Sequence, residues 1–104
     1  MRERRERPRA SFTGWVEITT LGRRRLATGR DLSPDGLGVI VRPPTPAVHS
    51  PVTSEFGLPG ISLPLALEGT VVWSDPSSGQ LGLRFDGVDS SLAELLESFL
   101  TGSP

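Results

Sequence analysis

Turn chemistry recurs so closely between residues 12 and 85 that only short strands fit in the intervals. Ser33-Pro34-Asp35-Gly36 presets φ with its proline and offers a glycine for positive φ. Asp75-Pro76-Ser77-Ser78-Gly79 and Pro59-Gly60 are further breaks, and Leu21-Gly22-Arg23-Arg24 reads as a hairpin turn. Residues 43–51 (PPTPAVHSP) hold four prolines in nine residues, which leaves a surface loop in place of helix or interior strand.

The intervals alternate. In residues 12–20 (FTGWVEITT) Trp15 and Glu17 fall on one face and Val16 and Ile18 on the other, the pattern of a half-buried strand. Residues 25–31 return as a second strand, 36–42 (GLGVIVR) form a third and 52–58 a short fourth. Residues 61–74 alternate through Leu63, Leu65 and Leu67 before Thr70-Val71-Val72-Trp73, and 80–85 (QLGLRF) pair back across the 75–79 turn. Near the C-terminus the period changes: Leu92, Leu95, Leu96, Phe99 and Leu100 share one helical stripe. Ser91 and Glu94 match a capping box and Gly102 supplies a stop, which predicts one helix over residues 90–101. Consecutive strands plus one closing amphipathic helix predict a mainly β fold, a small antiparallel barrel with the helix packed over one opening.

A chain of 104 residues makes one small domain, and with 6% aromatic content its aliphatic residues must carry the packing. Cysteine is absent, so disulfides, zinc–thiolate sites and thiol catalysis are excluded, and a cytoplasmic location fits. The longest apolar run, residues 37–41, is too short to span a bilayer, and the charged N-terminus has no apolar signal region after it. Catalytic groups are scarce. The single histidine, His49, lies in the proline-rich loop, tyrosine is absent, and Asp75, Asp86 and Asp89 sit where turns and caps use short carboxylates. No phosphate-binding glycine loop occurs. The expectation is a protein without catalysis, metal or resident cofactor.

Charge is unevenly placed. The net value is −1, yet residues 2–9 carry Arg2, Arg4, Arg5, Arg7 and Arg9 against Glu3 and Glu6. Lysine is absent, so each cation other than the α-amino group and His49 is a planar fork suited to bidentate contact and stacking. Residues 1–10 read as a flexible arginine-rich arm and 11–101 as a single domain.

Arg5-x-x-x-Arg9 and Asp31-x-Ser33-x-x-Gly36 are each weak signals alone. Together, and followed by GTVVWSD, GQLGLRF and DSSLAELLESFL, they make a chain that resembles the PilZ domain from about Arg4 to Leu100. The resemblance implies a six-stranded antiparallel barrel, and binding of the bacterial second messenger cyclic di-GMP at Arg5, Arg9, Asp31, Ser33 and Gly36. A basic residue at the place of Arg4 is associated in relatives with two stacked ligand molecules, which makes Arg4 a further candidate.

The chemistry suits that ligand. An arginine fork engages guanine O6 and N7, phosphate oxygens or a base face. The Asp31 carboxylate accepts from guanine N1–H and the exocyclic amine, a pattern adenine lacks. Ser33 is a donor or acceptor for ligand or backbone, and Gly36 permits close approach and an unusual φ. The expected role is a single-domain receptor whose arm folds over the ligand, presenting a new surface to an unidentified effector protein, with the chain a monomer or homodimer. Two rivals stand beside it. One is a PilZ-like interaction module that binds no nucleotide and uses the 43–51 loop or the helix. The other is single-strand nucleic-acid binding, against which the net charge and only two tryptophans argue.

Overall fold

The computed structural model describes residues 10–12, 14–58 and 62–101. Seven strands and one helix follow in chain order: β1 (Ala10–Ser11), β2 (Trp15–Thr20), β3 (Arg23–Ser33), β4 (Gly36–Val41), β5 (Pro51–Phe56), β6 (Leu65–Asp75), β7 (Gln80–Phe85) and α1 (Ser90–Thr101). All pairings are antiparallel. The order β3-β2-β5-β6-β7-β4 closes on itself through β3–β4, giving a six-stranded barrel, and β1 adds a short outer rung beside β3.

Alternation fills the barrel. In β2, Val16 and Ile18 point inward and Trp15 outward. Leu32, Leu37, Val39, Phe56, Val71 and Leu81 complete a fully buried centre, and α1 contributes Leu96, with Leu92 and Val88 packed alongside. Each such side chain contributes roughly 1.5–3 kcal/mol through burial. Phe12, in the link between β1 and β2, packs edge-on against Phe56 at 5.6 Å, and Phe56 stacks on Phe85 at 6.3 Å. Phe12 N–H donates to the Arg30 carbonyl at 3.1 Å, so this link is tied to β3 by backbone and side chain together.

Several boundaries differ from the expectations. The first hairpin turn is Leu21-Gly22 alone, because both residues take positive φ (50° and 79°) and the ladder closes at once on Thr20 and Arg23. Arg23 and Arg24 therefore belong to β3. That strand runs on through Asp31 to Ser33, leaving Pro34-Asp35 as the turn. The strand expected over 12–20 starts at Trp15, since Phe12 has turned into the core. The helix is capped by Asp89, not Ser91: the Asp89 carboxylate accepts from Leu92 N–H at 2.9 Å. The Pro59-Gly60 turn and the Gly102 stop lie outside the described residues.

Candidate functional site

Two extra residues in the barrel wall create the site. In β3, Ala27 and Gly29 face inward, so simple alternation would send Asp31 into the core, where an unpaired carboxylate is very costly. Instead the register with β4 shifts between Gly29 and Asp31, making Arg30 a bulge residue. Leu32 takes the next core position, and the Arg30 and Asp31 side chains emerge together on the outer face. The same device operates in β6. Val71 is buried, the register with β7 shifts between Val71 and Trp73, and Val72 and Trp73 are both about two-fifths exposed (41% and 42%).

The two bulges flank one lateral row. Asp31 pairs with Gly38, Gly38 with Gly82, and Gly82 with Trp73 across β3, β4, β7 and β6. The middle of the row has no side chains, and its ends carry a carboxylate and an indole. Both glycines make room for the side-chain ends that lie over them. A Cβ on Gly38 would stand 2.7 Å from Asp31 Oδ1 and 2.9 Å from an Arg30 guanidinium nitrogen. A Cβ on Gly82 would stand 2.2 Å from Trp73 Nε1. A cleft of about 300 Å³ opens over this row, walled by Arg30 and Asp31 on one side and Val72 and Trp73 on the other.

Arg30 reaches across the cleft. Its Nη2 lies 3.2 Å from Asp31 Oδ2, its Cζ stands 5.6 Å from the Trp73 ring centre, and its Nη1 donates to Gln80 Oε1. Its Nε is buried and has no hydrogen-bond partner among the described residues.

The residues expected at the site fall into three groups. Asp31 lies at the rim of the cleft. Ser33 is buried, and its hydroxyl accepts from Asp35 N–H at 3.2 Å and Gly36 N–H at 3.1 Å, which clasps the turn. Gly36 does not have positive φ, contrary to the expectation; it is needed for close approach, since a Cβ there would meet the Leu83 carbonyl oxygen at 2.2 Å. Arg4, Arg5 and Arg9 lie outside the described residues. Ala10, joined covalently to Arg9, pairs with Leu32, and Ser11 pairs with Asp31 itself.

Sequence reasoning missed Arg30, Gly38, Gln80 and Gly82 as site residues and placed Trp73 only in a strand. One signal was available: glycines inside GLGVIV and QLGLRF mark close approach in a strand that otherwise reads as regular. Among the described residues no cluster of metal-binding side chains occurs, and no helix is long and apolar enough to cross a membrane.

A larger groove, about 1140 Å³, lies further along the outer face of β2, β3 and β4. Trp15 (50% exposed), Leu26 (71%) and Ile40 line it, with Arg23, Arg25, Arg42 and the prolines at 43, 44 and 46. It lacks both the carboxylate and the glycine floor that mark the smaller cleft.

Solved structures share this architecture at low identity. The chain superposes on the inhibitor of motility MotI/DgrA of Bacillus subtilis with a TM-score of 0.78 at 16% identity, covering 96% of this chain and 51% of that one. It thus spans about half the length of the Bacillus protein. The PilZ domain of YcgR from Escherichia coli, solved with c-di-GMP, gives 0.71 at 18% identity, over 96% of this chain and 91% of that one. PlzA of Borreliella burgdorferi, also solved with c-di-GMP, gives 0.71 at 16%, over 93% and 41%. No curated protein sequence matches the chain. The PilZ domain profile, however, matches residues 3–102, nearly the whole length, and with a closed six-stranded barrel and C-terminal helix beneath it the chain belongs to the PilZ domain family.

Proposed function

We propose that this chain is a cyclic di-GMP receptor that works without catalysis and signals to a partner protein. The observation that carries the reading is the row Asp31–Gly38–Gly82–Trp73: a carboxylate and an indole that close from opposite ends on a floor of two glycines, with β1 paired beside the carboxylate. A guanine seated there directs N1–H and its amine at Asp31, and its face meets glycine backbone and the Trp73 ring. Arg5 and Arg9, in the arginine-rich residues that precede β1, supply forks for guanine O6 and N7 and for phosphate. Ser33 and Gly36 act by holding the turn and the β4–β7 approach that keep Asp31 in place. Arg4 is assigned to a second, stacked ligand molecule. Both the YcgR domain and PlzA were solved with c-di-GMP, which supports the ligand class.

Calorimetric titration with cyclic di-GMP, GTP and cyclic di-AMP tests this, on wild type and Arg9→Ala. The expected result is selective binding of cyclic di-GMP and loss of most binding in the variant, with an unchanged melting temperature. Comparable affinity for all three nucleotides would remove the role given to Asp31.

A second reading has its own support. The Trp15–Leu26–Ile40 groove, rimmed by arginines, is a large exposed apolar surface of the kind that marks protein contact. Under that reading the barrel is an interaction module indifferent to nucleotide. A stable partner complex, with no thermal shift at saturating cyclic di-GMP, is the result that would select it.

A further inference from the structure

The Arg30 side chain occupies the place that the proposed function gives to a guanine base. The two groups share a chemical fragment. Guanine N1–H and its C2 amine form a planar pair of N–H donors on one carbon, and a guanidinium is a planar carbon bearing such donors. Each suits a carboxylate and each stacks on an indole.

The geometry follows that likeness surface by surface. One Arg30 nitrogen lies 3.2 Å from Asp31 Oδ2. The same nitrogen lies 2.9 Å from the point where a Gly38 Cβ would stand, so it rests on the glycine floor. The Arg30 Cζ is 5.6 Å from the Trp73 ring centre. Carboxylate, floor and indole are the surfaces a bound base requires, and one side chain covers all of them. Gln80 holds the other end through its Oε1.

The arrangement is also poised to open. Arg30 Nε is buried with no acceptor among the described residues, an unfavourable placement that moving the side chain into water relieves. The Arg30 side chain is about a third exposed, with solvent already on one side. As the bulge residue Arg30 has no partner in the β4 register, so its side chain can leave without breaking a ladder rung.

We infer that Arg30 is a built-in competitor for guanine, filling the base subsite in the ligand-free protein and leaving when ligand enters. Binding is then an exchange of one planar donor for another on Asp31. The measured affinity is the intrinsic affinity scaled by the fraction of molecules in which the subsite is open. With an open fraction on the order of a tenth or less, removing the plug tightens binding about tenfold or more.

This inference rests on the nucleotide-site reading, and the experiment separates the two. Cyclic di-GMP is titrated calorimetrically into wild type, Arg30→Lys and Arg30→Ala at one salt concentration. Lysine keeps the charge and loses the planar fork; alanine loses both. The expected result is tighter binding in both variants than in wild type, with Lys tighter than Ala because the ligand is anionic. Alongside, the Trp73 indole N–H resonance of ligand-free protein, in a Trp15→Phe background, should shift in both variants as the guanidinium leaves the ring.

If wild type binds and both variants bind more weakly or equally, Arg30 is a ligand contact or a bystander, and the competitor role is overturned while the site stands. If neither wild type nor variants bind, the nucleotide site itself is wrong and the inference falls with it. An unmoved Trp73 resonance in both variants also overturns it, since the plug would then not be seated on the ring.

Discussion

Asp31 and Trp73 stand at opposite ends of one lateral row of the barrel wall, joined through the facing glycines 38 and 82. Each follows a bulge residue, Arg30 or Val72, and without those bulges simple alternation would turn both side chains toward the core. The cleft between them is thus a product of two register shifts, and predictions about it separate from predictions about the barrel.

We predict that Gly82→Ala lowers cyclic di-GMP affinity at least about tenfold, about 1.4 kcal/mol, by pushing the indole off the floor. The melting temperature should hardly move, because Trp73 is partly exposed and free to rotate outward. Calorimetry and a thermal melt on the same variant check this. Unchanged affinity would count against the row as the base platform.

Asp31→Asn should weaken cyclic di-GMP binding by about 1–3 kcal/mol and narrow the preference over cyclic di-AMP, since an amide no longer accepts from both guanine donors. Stability should change by less than about 1 kcal/mol, as expected for a partly exposed ion pair with Arg30. Parallel titrations and urea denaturation read the two effects.

Phe12→Ala should cost about 3 kcal/mol in urea denaturation, because the ring is buried against Phe56. The same change loosens the link between β1 and β2, so ligand binding should also weaken. A stability loss with fully retained affinity would separate the anchoring of β1 from the site.

Ser33→Ala and Gly36→Ala should differ in size. The serine change removes one acceptor shared by two turn amides, about 1 kcal/mol. The glycine change drives a Cβ into the Leu83 carbonyl, which is backbone and has no rotamer to escape by. About 1–3 kcal/mol and weakened amide protection along β4 and β7 are expected there, read by denaturation and hydrogen exchange.

Asp89→Ala should lower stability by about 1 kcal/mol through loss of the helix cap, whereas Ser91→Ala should stay within about 0.5 kcal/mol. Thermal melts of the pair decide between the two capping assignments. Equal losses would mean that the cap is shared.

Much of the fold was legible because local chemistry is enough to state it. Val16 and Ile18 against Trp15 and Glu17 announce a strand with one wet face, and the leucine stripe after Asp89 announces a helix with one dry face. Prolines at 43, 44 and 46 forbid anything but a loop. Boundaries were less legible: the Leu21-Gly22 turn and the Asp89 cap depend on φ values and on a side-chain rotamer, which tertiary contacts select.

The residues in order were sufficient for an alternating barrel, a closing helix, a cationic lead-in and an aspartate beside a turn, because each follows from a period or from one residue's own conformational limits. The direction of Asp31 and Trp73 was not contained there. A bulge is a mismatch between two strands, so it exists only once β4 lies against β3 and β7 against β6. Cross-strand pairing likewise brings Gly38 opposite Gly82 and lays the Arg30 fork between a carboxylate and an indole 42 positions apart in sequence (73 − 31).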